Sequence, residues 1–194
     1  MSLLWAAAAL GALLELDGDS FGQFGFARPI VVGPLLGCLL GAPATGLMFG
    51  IVLELLALGE LPVGGHIPLN ATIATAAALM VALGGRGPDG SAYALLSAVP
   101  FGVAFGALRG ALERPLRALR GRLAAREGGI GGALVASLGA QAALNFILLA
   151  AALLLRPGQG GLPDERILVG LQRLLWVTPW LGAATLLHSL RARA

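Results

Sequence analysis

The sequence predicts an all-α, polytopic membrane protein with broken or re-entrant helices in its N-terminal half, and three observations carry that prediction. Hydrophobic residues make up 57% of the 194 positions and charged residues 12%, with a mean hydropathy of +0.86. Soluble domains hold roughly 45–50% apolar residues, and one domain of this size would still need a polar skin. Apolar segments of membrane-spanning length recur along the chain. Between them lies a stretch, Arg28 to Gly65, where proline and glycine repeatedly interrupt an otherwise apolar run.

Leu3 to Leu14 reads as a retained helix. No basic region precedes it, and it ends in Glu15-Leu16-Asp17, unlike the small-residue pattern of a cleaved leader. The interrupted stretch carries Pro29, Pro34, Pro43 and Pro62. Proline removes a backbone donor and clashes with the preceding turn, and broken helices at membrane depth are tolerated where they are buried in protein or line a cavity. This is the first place to look for a pathway. Ile67 to Leu83 is a short, uncharged span, while Ala92 to Leu112, Ile130 to Leu155 and Ile167 to Leu190 each supply the roughly 20 residues that a 30 Å hydrocarbon core requires. The chain therefore reads as one integral membrane domain, 1–194, with a motif-bearing half (1–84) and three further spans (85–194).

Every basic residue is arginine, and six of them (Arg109, Arg114, Arg117, Arg120, Arg122 and Arg126) crowd 109–127 against Glu113 and Glu127. Arginine bias in short connections sets orientation, so 109–127 is expected as a basic cytoplasmic loop, with Arg191 and Arg193 on the same side. The cluster lacks the interleaved aromatics of a single-strand binder, so the net charge of +3 does not point to nucleic acid. Cys38 is the single cysteine, which excludes an intrachain disulfide, and with His66 and His188 alone no metal-ligand spacing is visible. No phosphate-binding loop, nucleophile elbow or glycosidase-type carboxylate pair stands out. No catalytic residue, cofactor or metal is expected.

Gly33, Gly37 and Gly41, then Gly46 and Gly50, then Gly102, Gly106 and Gly110 form small-residue ladders that let helices approach closely. Glu54 continues the Gly46 and Gly50 face. An ionisable group inside a membrane segment costs about 2.5–3.5 kcal/mol or more, so Glu54 is expected as a buried carboxylate accepting hydrogen bonds from a polyhydroxylated ligand. Next come Gly64, Gly65, His66, Pro68 and Asn70, in a run whose prolines and glycines would unwind the backbone and free N–H and C=O groups. Gln141 and Asn145, four apart in an apolar segment, suit bonding across to a neighbouring helix.

The ordered series Phe24 to Ile30, Gly33 to Gly37, Gly41 to Gly46, Gly50 to Gly59 and Pro62 to Thr75 resembles the IIC subunits of mannose/fructose/sorbose-type phosphotransferase-system (PTS) permeases, over about residues 15 to 84. The resemblance implies a multi-pass subunit of the inner (cytoplasmic) membrane, part of an oligomeric complex. It would bind a hexose-like sugar through Glu54, Gly64, Gly65, His66, Pro68 and Asn70. It would work with a membrane IID-type subunit and with cytoplasmic IIA and IIB phosphocarriers that bear the phosphoryl group, making His66 a sugar contact and not a phosphohistidine. The sequence departs from the family pattern at Gly41-Ala42 and Leu69-Asn70, where an aspartate is common in the second position, and it stops at Ala194, where relatives often continue. The alternative is a shortened, non-transporting membrane interaction protein derived from the same family.

Overall fold

In a computed structural model the described residues are 2–19, 23–58, 69–84, 92–126 and 129–155. Among them the secondary structure is helical: α1 (Ser2–Leu14), α2 (Leu16–Asp19), α3 (Pro29–Leu39), α4 (Pro43–Ala57), α5 (Ala71–Gly84), α6 (Ala92–Ala111), α7 (Glu113–Arg126) and α8 (Ile130–Leu155). The expected span at 167–190 lies outside the described residues.

The interrupted stretch folds as a hairpin of short helices. Pro29 and Pro43 each open a helix, where the missing N–H is no loss. Gly41, at φ +79, turns the chain between α3 and α4 in a conformation that side chains rarely adopt. The glycine ladders are the contact. Gly33 meets Gly50 and Gly37 meets Gly46, an antiparallel register in which a Cβ added at Gly37 would lie 2.8 Å from the Ala42 carbonyl oxygen and 2.9 Å from the Gly46 Cα. At 11 and 15 residues the two helices are about 17 and 23 Å long, short of the roughly 30 Å core.

Helix α5 is the centre of the molecule, packed by α1, α3, α4, α6 and α8. Its residues Thr72 to Met80 are all buried. Alanine at 74, 76, 77 and 78 leaves room for that many neighbours. The sequence suggests a short span from 67 to 83, but the helix begins at Ala71 because Asn70 caps it, its Oδ1 accepting the Ile73 N–H at 2.9 Å. With 14 residues, α5 reaches about 21 Å and is sheathed by protein instead of crossing the membrane alone. Against it α6 lies antiparallel on the third ladder: a Cβ at Gly106 would meet the Asn70 carbonyl oxygen at 2.7 Å, and one at Gly102 would meet the Ala78 Cβ at 2.7 Å.

The bounds of α8 coincide with the expected span. At 26 residues it is, among the described residues, the helix long and apolar enough to cross a membrane by itself. The expected basic loop is instead the helix α7, packed along the start of α8. Arg109 does not belong to that charged surface; it ends up 1% exposed inside the bundle.

Candidate functional site: a polar layer at one end of the bundle

Buried polar side chains from the C-terminal ends of α1 and α6, the start of α7 and the middle of α8 meet near the N-terminal end of α5. Glu15 follows the last turn of α1, its N–H bonded to the Gly11 carbonyl at 3.2 Å. A carboxylate at a helix C-terminus opposes the helix dipole, so its burial at 2% exposure calls for donors from elsewhere. They come from two helices, α6 and α8, and from the α5 cap. Oε1 accepts from Asn70 Nδ2 at 2.7 Å and from Arg109 Nη2 at 3.2 Å. Oε2 accepts from Gln141 Nε2 at 3.2 Å and from Asn145 Nδ2.

Arg109 is shared out with equal economy. Its Nε donates to Asn145 Oδ1 at 2.7 Å and its Nη1 to Glu113 Oε2 at 2.6 Å. Burial alone would push the Glu113 carboxyl up, but hydrogen bonds and charge from Arg109 and Arg117 outweigh it and hold the group below the usual carboxylate range. The bond from Arg117 Nε, at 2.7 Å, reaches the other Glu113 oxygen. Among the described residues no buried side-chain nitrogen or oxygen lacks a partner, as a low-dielectric interior demands.

Beside this layer Asp17 gathers a turn. Its carboxylate accepts the Phe24, Gly25 and Phe26 N–H groups at 3.0, 2.9 and 2.8 Å. The turn then reaches α5 through the Ala27 carbonyl, which accepts from Thr72 Oγ1, and α4 through Arg28, whose Nη1 lies 3.3 Å from Glu54 Oε1. Glu54 Oε2 accepts the Ile30 N–H, also at 3.3 Å. The carboxylate thus sits on the N-terminus of α3, where the helix dipole favours it. Its side chain is 18% exposed, against 3% for Glu15.

Of the residues expected to form a site, Glu54 and Asn70 are described; Gly64, Gly65, His66 and Pro68 lie outside the described residues. Glu54 and Asn70 have different hydrogen-bonding partners and are linked through Arg28, Ala27 and Thr72. Gln141 and Asn145 join α8 to the end of α1, as their spacing suggests. Sequence reasoning missed Glu15 and Arg109, which are 94 positions apart. Glu15 looks like a helix-ending acid beside Asp17, and Arg109 like the first member of an arginine cluster.

The chain matches the family described as the PTS system sorbose-specific IIC component over residues 2–155. A protein of Escherichia coli (strain K12) named as an N-acetylgalactosamine permease IIC component 2 is 40% identical over 104 residues, 52% of this chain and 76% of that one. The mannose-specific EIIC component of the same strain is 30% identical over 97 residues, 50% of this chain and 33% of its own length. Two solved structures share the fold at 21% identity, each covered over 98% of this chain and 80% of theirs. One, described as a membrane protein, has a TM-score of 0.72; the other, the mannose transporter ManYZ in complex with microcin E492, has 0.65. The helical, multi-pass, membrane-embedded architecture is therefore shared, and the chain belongs to the sorbose-type IIC family of PTS permease subunits.

Proposed function

We propose that this IIC subunit binds a hexose-like sugar at the polar end of its bundle and passes it inward, working with a IID-type membrane subunit while IIA and IIB phosphocarriers supply the phosphoryl group. Glu54, Asn70 and the backbone of 64–68 would hold the sugar hydroxyls, with 109–127 on the cytoplasmic side. The observation that supports this reading best is the placement of Asn70. Its amide bridges the α5 cap and the buried Glu15, and it closely follows the proline- and glycine-containing run 59–68 of the sequence. A neutral amide and a carboxylate are suited to hydroxyl groups, which both donate and accept. The phosphoryl chemistry belongs to the partner proteins, so this chain's task is recognition and passage.

The test is uptake of labelled hexoses by a host lacking its own permeases, with this chain expressed alone and together with its IIA, IIB and IID partners. Uptake is expected when all are present. Failure of every hexose to enter when the complete complex is assembled would overturn the proposal in favour of a non-transporting membrane interaction protein.

A further inference from the structure

None of the residues proposed to hold the sugar lies on the α7–α8 hairpin. Helix α7 holds Arg114, Arg117, Arg120, Arg122 and Arg126 against the single acid Glu113, and Glu113 is already engaged by Arg109 and Arg117. Leu112, Leu116 and Leu123 recur at helical spacing on one side; Leu116 is buried and α7 packs on α8, where Arg120 Nε donates to Ser137 Oγ at 2.7 Å. Arg114, Arg122 and Arg126, at i, i+8 and i+12, are exposed and spread over an arc of about 120° that runs from the side opposite Leu116 to the edge of the leucine stripe. The first turns of α8 present Ile130, Leu134 and Val135 at 90%, 54% and 71% exposure, and Leu119 of α7 is 47% exposed.

Guanidinium groups beside uncovered isoleucine and valine suit neither bulk water nor hydrocarbon. They suit the boundary between the two, where apolar side chains enter the acyl region and arginines meet phosphate. The length of α8 agrees. Its 26 residues exceed the roughly 20 needed to cross the core, which gives it the length to carry its first turns, next to the arginines of α7, into the headgroups. A planar guanidinium also matches phosphate oxygens in pairs.

We propose that α7 is an anionic-lipid-binding helix: Arg114, Arg122 and Arg126 hold the phosphodiester headgroups of anionic phospholipids while Ile130, Leu134 and Val135 enter the adjoining acyl boundary. The face selects lipid charge at the membrane surface, and each arginine is worth about a fivefold preference for anionic over zwitterionic lipid.

The experiment reconstitutes the full chain in nanodiscs of phosphatidylcholine with a minority of phosphatidylglycerol and measures, by mass spectrometry, the ratio of the two lipids that stays with the protein on re-extraction. Wild type is compared with two combined variants: Arg114→Gln, Arg122→Gln, Arg126→Gln and Arg114→Lys, Arg122→Lys, Arg126→Lys. Size-exclusion chromatography selects the folded fraction of each. Wild type should enrich phosphatidylglycerol, less so at high salt; the glutamine variant should lose at least fivefold of that preference, and the lysine variant should keep most of it. Equal enrichment in wild type and the glutamine variant, or none in wild type, overturns the proposal. So does capture of soluble polyglutamate by wild type, but not by the glutamine variant, in phosphatidylglycerol-containing nanodiscs, which would make the face a docking surface for an acidic protein.

Discussion

The α3–α4 hairpin and the polar layer around Glu15 solve the same problem, bringing helices together without a hydrophobic driving force between them, in opposite ways. The hairpin removes side chains: Gly33, Gly37, Gly46 and Gly50 let one backbone rest on another. The polar layer keeps large polar side chains and satisfies each, binding α1, α5, α6, α7 and α8 through Glu15, Arg109 and Asn145. The charged pair of the hairpin, Arg28 and Glu54, lies half in the open, with side chains 67% and 18% exposed, whereas Arg109 and Glu15 are 1% and 3% exposed. A dry layer gains rigidity from its charges. The partly exposed Glu54 carboxylate is the one we propose to meet a ligand.

The largest effect should follow from breaking the dry layer. Arg109→Met leaves the Glu15 and Glu113 carboxylates without their buried cation, and losing one partner of a buried pair typically costs about 3–5 kcal/mol. Thermal denaturation of the purified protein should show that loss, and adding Glu15→Gln should recover part of it, since the surviving charge is what destabilises. A loss below about 1 kcal/mol would mean that water reaches the layer, and the contrast with the hairpin would collapse.

Much of this architecture was legible in the residues. The glycine ladders and the bounds of α8 follow from spacing and backbone chemistry, which are local properties, whereas of the prolines expected to interrupt the stretch Pro29 and Pro43 open helices and Pro34 lies inside α3. The polar layer is not local. Glu15 and Arg109 become informative once folding brings them together, and each has a credible local explanation that hides the other. Glu54 faces α3, as its place beside Gly46 and Gly50 suggests, but its side chain is 18% exposed and not buried as expected, because the Arg28 guanidinium that pairs with it is itself 67% exposed. Its partners, the Arg28 guanidinium and the Ile30 N–H, depend on the antiparallel return of the chain, which spacing within α4 does not encode.

The next effect sharpens the role of Glu54 as the accessible carboxylate. Glu54→Gln replaces an acceptor oxygen with a donor while keeping the shape, and a hydrogen bond to a charged group is worth about 1.5–3 kcal/mol, which corresponds to a tenfold to hundredfold loss of hexose affinity. A binding isotherm of the purified complex, with integrity checked by size-exclusion chromatography, measures it. Unchanged affinity in an intact complex would remove Glu54 from the sugar site and leave His66 and Asn70 as candidates.

Gly46→Ala tests the packing side of the comparison. The added Cβ would fall 2.8 Å from the Gly37 Cα, and because backbone cannot rotate away, the helices must separate, at a cost of about 1–3 kcal/mol. Gly121→Ala, in α7 where nothing lies within 4 Å of the new Cβ, should be neutral or should stabilise by up to about 1 kcal/mol through helix propensity. Equal thermal midpoints for the two variants would show that α3 and α4 have room to spare.

The smallest effect is expected from Arg28→Gln. The guanidinium is 67% exposed and 3.3 Å from Glu54, so solvent and salt screen the pair and its loss should cost under about 1 kcal/mol. Glu54 would still accept the Ile30 N–H and remain at the favourable end of α3, which is why the substitution should leave the hairpin folded. The measurement is the same thermal denaturation used for Arg109→Met, repeated at low and high salt, where the small difference between wild type and variant should shrink. A loss as large as that of Arg109→Met, insensitive to salt, would show that the Arg28–Glu54 pair is as dry as the polar layer. A carboxylate sealed in that way could not exchange its arginine for a sugar hydroxyl, and the sugar site would then have to be sought nearer Asn70.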